Sequence, residues 1–112
     1  MRELSEQIAL ARVLDCARLT WCHVPNGGYR STREAVSLRQ SGVKAGVPDV
    51  LLFTPSSGAP RGVALELKRS KGAVRDEQRE WLMALAACGW ATVVAYGADD
   101  AVAQLRALGY AL

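Results

Sequence analysis

The sequence predicts a single α/β domain, a small β-sheet covered by helices. Segments with the 3.6-residue period of helices alternate with short runs of β-branched and aromatic residues, and turns rich in Gly, Pro or Ser separate them. The 112 residues leave room for one core and not for a second independent domain, since domains run to about 100–150 residues. Residues 1–112 are therefore read as one unit. Half the residues are hydrophobic (50%), enough to offset the entropy of ordering the chain.

The elements follow in order. Leu4, Ile8, Val13 and Leu14 recur at helical spacing, which predicts an amphipathic helix from about residue 4 to 18. Thr20–Val24 is rich in aromatic and β-branched residues and ends at Pro25-Asn26-Gly27-Gly28, so a strand runs into a loop there. Ser31 or Thr32 can cap a short helix through about Arg39, stopped by Ser41-Gly42. The apolar run Val50–Phe53, a turn at residues 54–58 and the segment Gly62–Lys68 read as a hairpin whose second strand alternates Val63, Leu65 and Leu67 against Ala64, Glu66 and Lys68. A basic loop then leads to a helix from about Asp76 to Cys88 with the stripe Trp81, Leu82 and Leu85, ended by Gly89. Trp90–Tyr96 is a further strand and Asp99–Leu108 a further helix. No internal repeat or linker interrupts them.

No run approaches the roughly 18 apolar residues of a membrane span, and no apolar signal core opens the chain. A cytoplasmic protein with no membrane partner is expected. Cys16, Cys22 and Cys88 lack the spacing of zinc sites or disulfide frameworks and are expected to be buried thiols. The net charge of +3 is too mild to establish a nucleic-acid partner. Its distribution says more. Arg61, Lys68, Arg69, Lys71, Arg75 and Arg79 fall in one stretch, and Arg30, Arg33, Arg39 and Lys44 in another.

The chemistry-bearing residues lie between these basic stretches. Side chains two apart on a strand share a face, so Glu66 and Lys68 project together. Asp49 stands at the mouth of the preceding strand, and paired strands lie about 5 Å apart, so Asp49 and Glu66 can converge on one cation. Carboxylate oxygens suit Mg²⁺ or Mn²⁺, and a phosphodiester is hydrolysed by placing such an ion on a phosphate oxygen and the attacking water. Lys68 can offset charge growing on the phosphate. Two further candidates follow from helical phase. Gln78 precedes Trp81 and Leu82 by three and four residues, which puts its amide on the sheet-facing stripe. Glu6 precedes Leu10, Val13 and Leu14 on the first helix and is a candidate third ligand or general base, with Glu3 as its competitor.

Glu6-Gln7, His23-Val24-Pro25-Asn26-Gly27-Gly28, the string from Gly42 to Asp49, Glu66-Leu67-Lys68, and Gln78 with Trp81-Leu82 together resemble the VRR-NUC domain, a branch of the restriction-endonuclease-like PD-(D/E)xK nucleases. The resemblance spans nearly all of the chain. It implies a mixed sheet flanked by helices and an Mg²⁺- or Mn²⁺-dependent endonuclease, often directed at branched DNA such as four-way junctions or flaps. It also implies metal binding by Asp49, Glu66 and the backbone carbonyl of Leu67, a catalytic role for Lys68, and supporting roles for Glu6 and Gln78.

His23 contacts DNA, lies near the metal, or shapes the loop as a strand-end histidine. Gly27-Gly28 lets backbone N–H groups approach phosphate, which makes Asn26, Tyr29 and Arg30 candidate DNA contacts together with Lys44, Lys71 and Arg75. A catalytically silent DNA-binding module is the alternative function, against which the intact Asp49, Glu66 and Lys68 argue. A purely structural oligomerisation module leaves Gln78 and Glu6 unexplained. Paired cuts need two sites, so a homodimer or a higher even-numbered oligomer is expected, and Trp21, Trp90 and Tyr110 are read either as ordinary core residues or, for some of them, as lining its interface. A bacterial or phage-infected cytoplasm suits a chain of this kind.

Overall fold

A computed structural model describes residues 3–25 and 31–112. Among them, helix α1 (Glu3–Cys16) leads to strand β1 (Trp21–His23), helix α2 (Thr32–Gln40) and strands β2 (Val50–Leu52) and β3 (Val63–Lys68). Helix α3 (Asp76–Ala87), strand β4 (Ala91–Tyr96) and helix α4 (Ala98–Ala107) complete the order. Every element expected from the sequence is present, with ends shifted by at most two residues.

The strands form one mixed sheet in the order β1-β2-β3-β4. β1 pairs antiparallel with β2 (Trp21↔Leu52) and β2 antiparallel with β3 (Val50↔Leu65), whereas β3 and β4 run parallel (Glu66↔Val94). A parallel pair needs a crossover, and α3 supplies it. The hydrophobic core lies on one face, where Val50, Leu52, Val63, Leu65, Leu67 and Val93 meet Leu10 and Leu14 of α1 and Ala101 and Leu105 of α4. α3 covers the other face of β3 and β4, with Leu82 buried. Both sides of β3 are thus closed, and all six of its residues are buried. The alternation read from the sequence is real, but here it separates an apolar face from a face carrying a buried charged pair.

β4 borders the sheet, and its outer backbone is shielded by the helix that follows. Asp100 accepts from the Tyr96 N–H at 2.8 Å and Gln104 donates to the Val94 carbonyl at 3.0 Å. Side chains thereby saturate groups that invite edge-to-edge association. α2 is capped by Ser31, whose hydroxyl accepts from the Glu34 N–H, and it buries none of its residues. It stands off the sheet as a wall.

Two expectations are corrected and one open alternative is decided. The buried stripe of α1 is Gln7, Leu10 and Leu14, while Leu4 and Ile8 are exposed, because contact with β3 and α4 selects a different phase of the helix. Cys16, Cys22 and Cys88 are all exposed free thiols, for they sit at a helix end, on the short border strand β1 and at the α3 C-cap. Tyr110 belongs to the core, and its hydroxyl donates to the Thr54 carbonyl. Trp21 packs on the core and donates to Asp15, and Trp90 is half-buried. Among the described residues no helix is long and apolar enough to cross a membrane.

Candidate active site

β3 is the platform. Glu66 and Lys68 point to the α3 side, and burial leaves them 2% and 7% exposed. Burying an ionised carboxylate and an ammonium costs several kcal/mol per ion unless each finds a partner. The two satisfy this jointly. Lys68 Nζ lies 3.8 Å from Glu66 Oε1, and a single amide from α3 bridges them. Lys68 Nζ donates to Gln78 Oε1 at 2.8 Å, while Gln78 Nε2 donates to Glu66 Oε1 at 3.2 Å. Gln78 Oε1 also accepts from the Arg75 N–H at 2.9 Å, closing the first turn of α3. Gln78 is therefore both a helix cap and the clamp on the charged pair.

Asp49 arrives from β2. Continuing the β2–β3 register one residue beyond Val50↔Leu65 sets Asp49 opposite Glu66. Asp49 Oδ2 accepts from the Leu67 N–H at 2.7 Å, which ties its carboxylate to the platform strand. Its backbone is fixed from the other side as well. The Val24 N–H and His23 Nδ1 both reach the Asp49 carbonyl, at 2.8 and 2.7 Å. A carbonyl only accepts, so the His23 proton sits on Nδ1.

The loop before Asp49 is pinned to α3. Trp81 Nε1 donates to the Ala45 carbonyl at 3.0 Å. Gly46 has a φ of +87°, and a Cβ there would lie 2.7 Å from the carbonyl carbon of Glu77. Only glycine allows that approach, and Pro48 next to Asp49 is fully buried. One helix thus sets Gln78 against Glu66 and Lys68, and the Asp49 loop against itself.

Above these residues opens a cleft of about 720 Å³, with Asp49, Glu66, Lys68 and Gln78 in its floor and side. α2 and the Val43–Gly46 loop form one wall, from which Arg39 and Lys44 face it, and Arg75 borders the other side. Lys71 is exposed on the loop between β3 and α3 and is not part of the lining. The donor set suits a hard cation: two carboxylates, Asp49 and Glu66, from neighbouring chain segments, with Leu67, the source of the expected backbone ligand, also among the lining residues. Among the described residues no three His, Cys, Asp or Glu side chains cluster to cage a metal. A cation held by so few protein groups would keep several waters, as Mg²⁺ prefers.

The structure thus brings Asp49, Glu66, Lys68, Gln78, Lys44 and Arg75 to one cleft. Glu6 is elsewhere: its Oε1 accepts from the Ala98 N–H at 2.9 Å at the start of α4, and it does not line the cleft. Asn26, Tyr29 and Arg30 lie outside the described residues. Sequence reasoning missed the Trp81–Ala45 bond. Its only signal was a polar indole edge on a helix stripe next to a glycine-rich loop.

The model of the VRR-NUC domain family matches residues 1–99. A solved structure described as a VRR_NUC domain protein superposes with a TM-score of 0.77 at 22% sequence identity, covering 97% of this chain and 88% of that one. No curated protein matches the sequence.

Proposed function

Because the chain belongs to the VRR-NUC domain family and carries its nuclease-type fold, we propose that it is an Mg²⁺- or Mn²⁺-dependent DNA endonuclease that acts on branched DNA. One observation carries the reading. A buried carboxylate and a buried lysine are held by one amide beneath a basic cleft, directly beside a second carboxylate. A structural pair would be cheaper to replace by apolar residues, because desolvation offsets much of the attraction in a buried ion pair.

Asp49, Glu66 and the Leu67 carbonyl would hold the cation, which when bound supplies Lewis-acid activation of the scissile phosphate and of the attacking water. Lys68 places its ammonium where negative charge grows on the phosphate in the transition state. Gln78 keeps Lys68 and Glu66 in register without itself touching the reacting atoms. Arg39, Lys44 and Arg75 hold the phosphate backbone, which gives affinity and orientation without reading sequence. Opposed cuts in a branched substrate need two such sites, so the working form is a homodimer or a higher even-numbered oligomer.

Cleavage of labelled four-way junction, flap, single-stranded and duplex DNA, with Mg²⁺ and with EDTA, tests the proposal. Cleavage of the branched substrates in Mg²⁺ alone supports it. Full activity in EDTA sinks the metal mechanism, and binding without cleavage under every metal tried points to a silent DNA-binding module.

A further inference from the structure

We propose that Phe53 and Trp90 form a base-stacking platform for a single-stranded segment of DNA leaving the cleft, an inference that rests on the nuclease reading above. The cleft face of β2 runs through Asp49, Leu51 and Phe53, since alternate residues share a face. Strand geometry persists at Phe53, whose N–H donates to the Thr20 carbonyl at 2.8 Å. Trp90 stands two residues before Thr92, the register partner of Ala64 on that same face. The two rings meet edge to face, their centroids 5.8 Å apart at 76°.

This face is open. α3 covers β3 and β4, α2 buries nothing, and on the β1–β2 half Cys22 is exposed and Phe53 is 45% exposed. The hydrophobic core lies on the opposite side of the sheet, so Phe53 serves no packing role there comparable to that of Leu52. A cation accompanies the rings. The Arg61 side chain crosses Gly89, the residue before Trp90, where a Cβ would meet its Cδ at 2.7 Å.

An aromatic face with a neighbouring arginine binds unpaired bases and their phosphates without sequence preference. Duplex DNA hides its base faces, so the platform selects a single strand. Four residues separate Asp49 from Phe53, about 13 Å along an extended strand. That is about four nucleotides at about 3.4 Å each, measured along one face of β2 from Asp49 in the cleft floor to Phe53. Bases threaded past the cleft floor therefore reach Phe53.

The test measures fluorescence anisotropy of branched DNA in Ca²⁺, with one unpaired arm lengthened stepwise from none to about eight nucleotides. Wild-type affinity should rise about fivefold or more once the arm exceeds about four nucleotides. Phe53→Ala should abolish that step while leaving affinity for arm-less DNA unchanged, and Phe53→Tyr should keep it. A wild type without the step, or a Phe53→Ala variant that retains it, overturns the platform. Cleavage of arm-less DNA without any step sinks the platform alone, whereas a wild type that binds no DNA sinks the nuclease reading with it. Sedimentation that turns a wild-type dimer into a Phe53→Ala monomer with the step intact assigns the patch to a second copy instead and also overturns it.

Discussion

Replacing Gln78 by Ala removes a side chain that bonds to both members of the buried pair. Lys68 Nζ loses its acceptor at 2.8 Å and Glu66 Oε1 a donor at 3.2 Å. Hydrogen bonds to charged groups contribute about 1.5–3 kcal/mol each, more than neutral ones. Two effects reduce the sum. The ammonium and carboxylate can close their 3.8 Å gap, and water replaces the amide at the exposed Arg75 N–H. The net loss is about 2–3 kcal/mol, a fall in Tm of about 8–12 °C for a chain of this size. Activity should fall further than stability implies, because Glu66 is no longer held against its strand-mate. We expect kcat to drop about 10- to 100-fold, as for other groups that orient metal ligands, with KM for DNA nearly unchanged because the basic rim is intact. Gln78→Glu separates the two halves: it keeps an acceptor for Lys68 but sets a carboxylate against Glu66, so Tm recovers in part and cleavage does not. Thermal unfolding by circular dichroism and initial cleavage rates under saturating Mg²⁺ read both quantities. A Gln78→Ala protein that melts within about 2 °C of wild type and cleaves at the same rate refutes the clamp.

Trp81→Phe keeps the ring and deletes only the bond to Ala45; it should lower kcat several-fold and weaken metal affinity measured by titration calorimetry, and unchanged metal affinity would show that the loop holds Asp49 without it. Lys71→Ala with Arg75→Ala should weaken binding to all DNA sequences about equally and flatten the salt dependence by about one unit per lost phosphate contact. Identical salt slopes would mean that this loop faces away from DNA. Tyr110→Phe should cost about 1 kcal/mol through the lost bond to Thr54. Burial holds the Tyr110 hydroxyl above its ordinary value near 10, against a smaller lowering by Ser56. The folded state thus favours the neutral phenol, so the contribution is full below the unfolded value and is lost as pH rises through the folded one. Urea titrations should show a decline in stability above about pH 10 that is weaker in Tyr110→Phe, and equal declines would contradict it.

Much of the site was legible because it sits on regular elements. Period-two spacing placed Glu66 beside Lys68, hairpin pairing placed Asp49 opposite them, and helical phase turned Gln78 toward the sheet. His23 shows the limit of such reasoning. A strand-end histidine was one of three readings, and only the β1–β2 register shows its ring on the Asp49 carbonyl. Glu6 shows another limit. Its phase depends on which face of α1 the core selects, and the choice of Gln7, Leu10 and Leu14 leaves Glu6 beside α4, bonded to Ala98. The cysteines were read from average burial, which carries no information about an edge strand or a helix end. The closure of both faces of β3 was hidden too, because an alternating strand looks the same whether its polar face meets water or a second layer of helix.

The central claim is that Glu66 is a buried metal-binding carboxylate and not half of a structural ion pair. Mg²⁺-dependent cleavage of a branched substrate by Glu66→Gln, which keeps the shape of the side chain and removes its charge, distinguishes the two roles. Circular dichroism at the assay temperature establishes that the variant is folded, and anisotropy in Ca²⁺ that it still binds DNA. The variant should be a folded, DNA-binding protein whose cleavage falls by at least about 10- to 100-fold, the loss expected when a ligand is removed from a metal site. Cleavage within about tenfold of wild type would contradict it.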